Sequence, residues 1–235
     1  MDPRNGKLCV IIPAAGAGRR MKRSLPKPLL RLGGRSILEW TLRRFSNTGV
    51  HQMILAVSEG IRDEAEAICA AADVPGRIDI VKGGRERQDS VWNALRAADG
   101  ACTFIAVHDA ARPFFDPGIF PRAFDLLRTN DGVIPAVPAA HTMKMVRRGC
   151  VERTLPREAL WQVNTPQVFR RKVLQAAYAQ AMEDGFYGTD DSMLVERYGG
   201  TVAVIPDSPY NIKITTPADL YIAEMIIEEG TGGKI

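Results

Sequence analysis

Five short apolar runs recur along the first 137 residues, LCVII at 8–12, QMILAV at 52–57, RIDIV at 77–81, TFIAV at 103–107 and GVIPAV at 132–137. Helix-length patterns separate them, at about 36–46, 60–72, 87–98 and 117–129. Parallel strands cannot be joined by a tight turn and need a crossover, commonly a helix, so this alternation predicts a mostly parallel open sheet flanked by helices, an α/β fold. Ser36 and Glu39 have capping-box spacing ahead of the first helix. After residue 138 the order breaks: TMKMVRR, Gly149 and CVERTL read as two strands around a turn, a β-hairpin arm at about 139–155. Helices follow near 170–184 and 190–198, then strands TVAVI at 201–205 and NIKI at 211–214, then a helix opening on Pro217.

No linker or low-complexity block divides the 235 residues, so the reading is one domain, 1–235, carrying the arm. A net charge of +4 would suit nucleic acid, but the Lys and Arg residues are scattered without interleaved aromatics, and a phosphorylated small molecule explains the excess as well. No apolar run reaches the roughly 18–20 residues of a membrane span. Cys9, Cys69, Cys102 and Cys150 form no C-x-x-C pair, and MDPRNGK leads straight into the first strand. They read as reduced, mostly buried thiols of a cytoplasmic protein with no signal or transit peptide.

The first strand runs into Pro13-Ala14-Ala15-Gly16-Ala17-Gly18-Arg19-Arg20-Met21. Small residues there let backbone N–H groups approach an anion closely. Gly-x-Gly after a first strand also opens dinucleotide-binding folds. Here Met21 occupies the third glycine position, Arg20 and Lys22 add cations, and Glu39 falls inside a helix rather than at a strand end. A G-x-x-x-x-G-K-[ST] string does not occur. Lys27 sits between Pro26 and Pro28, which stiffen its backbone and aim its ammonium. A loop lysine is ordinarily solvated, but beside this loop Lys27 and Arg20 could together neutralise a triphosphate. Asp109 stands at the carboxyl end of the fourth run, where open α/β sheets bind ligands, and suits a Mg²⁺ bridging phosphates or a helix cap. Ser90 follows the Gly83-Gly84 turn at a helix start, as a cap or as a partner for a base edge. Lys213 alternates with Ile212 and Ile214, which points it away from them, toward solvent or a site. His51, His108 and His141 form no metal-ligand spacing and read as structural.

AAGAGRRM followed by PKPLL is similar to the signature of sugar-nucleotide and alditol-phosphate nucleotidyltransferases. GGRERQDSV at 83–91, VHDAARP at 107–113 and NIKITTP at 211–217 narrow the resemblance to the methylerythritol-phosphate cytidylyltransferases, in the right order over nearly the whole chain. The resemblance implies a Rossmann-like sheet, a homodimer joined through the arm, and CTP and a polyol phosphate as substrates with Mg²⁺. It implies that Arg20, Lys27 and Lys213 are catalytic, with Lys213 on the α-phosphate. CTP would be bound by Pro13, Ala14, Ala15, Gly16, Gly18, Gly84, Arg85, Ser90, Asp109 and Ala110, and the metal by Asp109. Arg112, Thr142, Arg157, Thr165 and Thr189 would bind the acceptor, with Thr142 and Arg157 reaching the neighbouring subunit's site. Arg112 suits equally an orienter of the Asp109 segment. Some relatives carry an acidic residue shortly before NIK, whereas Pro209 and Tyr210 follow Asp207 here, so a second metal carboxylate is unassigned. Ribitol-5-phosphate cytidylyltransferases share several of these segments, but HDAARP and PREALWQVNTPQ favour methylerythritol phosphate. A non-catalytic nucleotide-binding regulator of the same fold would have no need to keep Arg20, Lys27, Asp109 and Lys213 together.

Overall fold

The computed structural model describes residues 6–16, 25–72, 74 and 76–230. Gly18 and Arg20 therefore lie outside the described residues. In chain order the elements are β1 (Lys7–Pro13), β2 (Arg31–Leu32), β3 (Arg35–Ser36), α1 (Ile37–Arg43), β4 (Gln52–Val57), α2 (Arg62–Ala71), β5 (Arg77–Lys82), α3 (Arg87–Ala97) and β6 (Cys102–Val107). They continue with α4 (Ile119–Leu126), β7 (Gly132–Pro138), β8 (Met143–Arg147), β9 (Cys150–Leu155), β10 (Trp161–Val163) and β11 (Gln167–Arg170). The last are α5 (Arg171–Glu183), α6 (Asp191–Arg197), β12 (Val202–Pro206) and α7 (Pro217–Glu228).

The main sheet has eight strands. β12 pairs with β7 in parallel, β1 pairs in parallel with β4 and β6, and β4 with β5. β11 is antiparallel to both β6 and β7, and β10 is antiparallel to the far part of β7. Because strand side chains alternate, the sheet builds two cores. Leu8, Val10 and Ile12 of β1 pack with Leu38 and Leu42 of α1, Ala65 of α2 and Phe120 of α4 on one face. Cys9 and Ile11 pack with Val91 and Leu95 of α3, Leu174 and Tyr178 of α5 and Leu194 of α6 on the other. A third cluster joins Leu30, Leu32, Phe114 and Ile214 to Leu220, Ala223 and Ile226 of α7.

Local chemistry sets several boundaries. Ser36 caps α1 by accepting from the Glu39 N–H at 3.0 Å, but only this half of the expected box forms among the described contacts, because the Glu39 carboxylate pairs with Arg35 and Arg43 instead. Thr216 and Asp219 make a full reciprocal box at the start of α7. The arm forms as β8 and β9, paired from Met143–Leu155 to Arg147–Cys150. NIKI is not a strand: its Ile214 N–H reaches the Ala111 carbonyl at 2.9 Å and its Asn211 carbonyl takes Arg112 Nη1 at 2.7 Å, so it docks on the turn after β6 without a ladder. Cys9 and Cys102 are buried, Cys69 is half-buried and Cys150 is exposed on the arm. Among the described residues no helix is long and apolar enough to cross a membrane.

Candidate active site

The site forms at the carboxyl ends of β1 and β6, where the parallel strands deliver their following loops side by side. A cleft of about 380 Å³ is lined by Pro13, Ala14, Ala15 and Gly16 after β1, Lys27, the Gly84–Arg87 turn with Ser90, Asp109 and Ala110 after β6, and Lys213. Segments spread over 200 residues of sequence thus meet in one cleft.

The turn after β5 explains its own glycines. A Cβ on Gly83 would lie 2.2 Å from the Ala15 Cβ and push the two cleft walls apart, and one on Gly84 would lie 2.1 Å from the Asp89 Cβ and push the turn off the start of α3. Ser90 accepts from the Gly84 N–H at 3.0 Å and donates to the Glu86 carbonyl at 3.1 Å, bracing this wall. It does not cap α3, which Glu86 and Asp89 cap reciprocally. Ala14 donates its N–H to the Ala56 carbonyl at 2.7 Å, which fixes the opposite wall to the sheet.

Asp109 is the electrostatic centre. Its Oδ2 lies 2.9 Å from Lys213 Nζ and 3.2 Å from Arg112 Nε, and its Oδ1 lies 3.5 Å from Arg87 Nε. Burial alone would raise its pKa, but Arg87, then Lys213 and Arg112, hold the carboxyl far below the usual carboxylate range. The carboxylate is therefore ionised at neutral pH.

Arg112 is buried and committed to the protein, with Nη1 on Asn164 Oδ1 at 2.8 Å and on the Asn211 carbonyl. Thr165, also buried, accepts from the Asp109 N–H at 3.0 Å and lies 3.0 Å from His108 Nδ1. His108 Nε2 is 3.0 Å from the Arg112 carbonyl, an acceptor, so Nε2 carries the proton and Nδ1 accepts from the Thr165 hydroxyl. Burial pushes the His108 pKa down to about 3, in keeping with this neutral tautomer. Arg112 and Thr165, placed on the acceptor side by the resemblance, are here turned inward as supports of the Asp109 segment. Their polar groups are taken up by Asn164, Asn211, His108 and Asp109 itself.

Thr142, Arg157 and Thr189 are exposed and do not line this chain's cleft. Asp207 accepts from Asn164 Nδ2 at 2.8 Å and Asn211 Nδ2 at 2.7 Å, and it does not line the cleft either. Among the described residues no group of three His, Cys, Asp or Glu side chains could hold a metal ion. A lone ionised carboxylate still fits Mg²⁺, which is commonly held by one or two carboxylates while substrate phosphates and water complete its shell. Asp109 suits a metal that arrives with a nucleotide rather than one held by the protein alone.

Sequence reasoning missed Arg87. It lay in plain view inside GGRERQDSV, and the signal was a cation on the first residue of a helix, whose N-terminal dipole disfavours positive charge. Two carboxylates, Asp109 and Asp191, supply the compensation.

The match to the family model described as 2-C-methyl-D-erythritol 4-phosphate cytidylyltransferase extends over residues 8–229, and so takes in every wall of this cleft. The chain belongs to this family. It is 40% identical to the 2-C-methyl-D-erythritol 4-phosphate cytidylyltransferase of Syntrophus aciditrophicus, over 96% of this chain and 98% of that one. Identity to the Symbiobacterium thermophilum enzyme of the same name is 43%, over 94% and 92% of the two chains. The fold is similar to the crystal structure of 4-diphosphocytidyl-2C-methyl-D-erythritol synthase from Anaerococcus prevotii, with a TM-score of 0.84 at 31% identity and coverage of 95% and 96%. It is also similar to the Thermus thermophilus cytidylyltransferase, with a TM-score of 0.77 at 30% identity and coverage of 93% and 98%. As a member of the 2-C-methyl-D-erythritol 4-phosphate cytidylyltransferase family, the chain is a nucleotidyl-transferring enzyme on a Rossmann-like α/β sheet.

Proposed function

We propose that this enzyme transfers CMP from CTP to 2-C-methyl-D-erythritol 4-phosphate, giving 4-diphosphocytidyl-2-C-methyl-D-erythritol and pyrophosphate. The observation that carries the reading is the ion pair of Lys213 with Asp109 at 2.9 Å, inside the cleft that also holds Lys27 and the small-residue loop. The acceptor phosphate is already an anion at neutral pH and needs no general base. Its oxygen attacks the α-phosphorus in line, a new P–O bond forms, the α–β bridging bond breaks, and pyrophosphate leaves with that electron pair. The protein's task is position and charge neutralisation.

The wall of Gly84, Arg85 and Ser90 opposite Ala14 and Ala15 reads the base, and Pro13, Gly16 and Ala110 border the ribose and phosphates. Gly18 and Arg20, outside the described residues, extend the phosphate loop, and Lys27 meets the β- and γ-phosphates. Asp109 would hold Mg²⁺, which when bound supplies positive charge on the phosphate oxygens. Lys213 is poised to exchange its carboxylate partner for the α-phosphate, where charge grows in the transition state. Arg112 keeps the Asp109 segment in place beside the acceptor.

Thr142, Arg157 and Thr189 serve the acceptor, Thr142 and Arg157 in the site of a second subunit. The arm supports a homodimer: every residue of β8 is exposed, with Val146 57% and Val151 60% open, and an isolated two-stranded hairpin is marginal in water. Four cysteines without a disulfide suit a cytoplasmic enzyme.

Pyrophosphate release from CTP, with 2-C-methyl-D-erythritol 4-phosphate and ribitol 5-phosphate supplied in turn, tests the assignment. Turnover with the first alone is expected. Release with neither acceptor, or equal release with both, would overturn it.

A further inference from the structure

Asp109 does not offer its two oxygens equally. Oδ2 takes Lys213 and Arg112 at 2.9 and 3.2 Å, whereas Oδ1 faces Arg87 Nε at 3.5 Å, an ionic contact too long for a good hydrogen bond. Oδ1 therefore keeps lone-pair capacity, and Arg87 stands beside it. Arg87 is itself held at its far end by Asp191, with Nη1 on Oδ1 at 3.1 Å and Nη2 on Oδ2 at 2.7 Å, a bidentate fork.

Asp191 is fully buried, and the Tyr178 hydroxyl also donates to it. Its neighbour Asp190 caps α6, accepts from Gln167 Nε2 at 2.7 Å and so fastens the helix start to β11 beside β6. Burying a carboxylate costs several kcal/mol unless its partners are very well placed, and apolar residues often replace such pairs without loss of stability. A carboxylate buried this fully, whose arginine partner reaches out along the cleft wall to a second carboxylate, has a role that packing alone does not supply.

We infer that Arg87 is a positioning residue, anchored by Asp191, that keeps Asp109 Oδ1 turned into the cleft as the metal-facing oxygen. The inference rests on the proposed transfer reaction with Mg²⁺ at Asp109. Arg87 contributes direction rather than chemistry. Lysine in its place keeps the charge but loses the fork.

The test is a Mn²⁺ titration of the enzyme–CTP complex, read by electron paramagnetic resonance, beside steady-state kinetics at varied Mg²⁺. Parent, Arg87→Lys, Asp191→Asn and the double variant are compared. Loss of a residue that orients a metal ligand typically weakens metal binding or activity by roughly 10- to 100-fold. Each single variant should weaken Mn²⁺ binding and raise half-saturating Mg²⁺ by that order, and the double variant should add little, because one unit has been broken. At saturating metal the KM for CTP should stay within about twofold of the parent. Unchanged Mn²⁺ affinity in Arg87→Lys would reduce the pair to a packing element. A raised KM for CTP at saturating metal would instead make Arg87 a direct phosphate ligand and overturn the positioning role. Should Asp191→Asn fail to fold, Arg87→Lys decides alone. Parent enzyme that releases no pyrophosphate refutes the transfer reaction itself. Active parent with unmoved metal affinity in Arg87→Lys refutes only the role of Arg87.

Discussion

On the proposed reading, single side chains at this site divide into those that meet the phosphates and those that hold them there. Lys213 belongs to the first group, and Lys213→Ala is expected to lower kcat by roughly 10²- to 10³-fold, the usual loss for one preorganised donor, with a smaller change in CTP affinity. Single-turnover kinetics with separately measured CTP binding checks this, and near-normal chemistry would return Lys213 to being merely the counter-ion of Asp109. His108 belongs to the second group. Its folded pKa, about 3, lies below the ordinary value of about 6.5, so on acidification the unfolded chain takes up a proton that the fold refuses. Stability is thus full above about pH 6.5 and drops from there toward pH 3, by at most about 1.4 kcal/mol per unit for this one group. Urea unfolding across pH 4–7 should be less pH-dependent in His108→Gln than in the parent, and equal slopes would exclude His108 as the source. Residue types and a strand end put Lys27 and Asp109 within reach of the sequence, whereas alternation with Ile212 and Ile214 left Lys213 open between solvent and a site, and the resemblance placed it. The inward turn of Arg112 and Thr165 was not legible, because only the fold reveals Asn164, Asn211 and His108 as their partners.

Among the elements, the long periodic ones were legible and the short ones were not. Helices α1 to α6 all lie within the expected spans, since an apolar stripe packed on a sheet leaves a strong 3.6-residue signal. β10 and β11, of three and four residues around Pro166, are too short to show any period. NIKI imitated a strand because Ile212 and Ile214 alternate around Lys213, although its backbone docks on a turn. The arm was legible as a hairpin, and the consequence proposed for it lies between subunits. Mixing Arg157→Ala chains with Lys27→Ala chains should restore part of the activity if sites are shared, with heterodimers verified by mass. Replacing residues 143–155 by a short Gly-Ser turn should give a monomer by light scattering. Heterodimers that stay inactive would confine each site to one chain, and a dimer that persists without the arm would move the interface elsewhere.

Across the whole molecule, two cores clamp the sheet while the third, under α7, carries the segment that brings Lys213 to the cleft. Ile214 is fully buried there, one residue from Lys213, and truncating it to alanine should cost about 2–5 kcal/mol. Ile54→Ala, in the core on one face of the sheet, should cost a similar amount. Only Ile214→Ala should also lower kcat measured well below the unfolding transition; equal kcat losses in both would mean that the site responds to global stability alone. The antiparallel course of β10 and β11 has a consequence for how such a chain can change. β7 ends at the same end of the sheet as β6, and β10 returns there with Trp161 opposite Pro138, so both feet of the arm stand on adjacent strands at the end of the sheet that carries the cleft. A segment rooted in this way is a cassette. On the proposed reading, exchanging residues 139–160 between related chains is expected to retune acceptor choice and subunit pairing together, while the six parallel strands and the nucleotide walls keep their register.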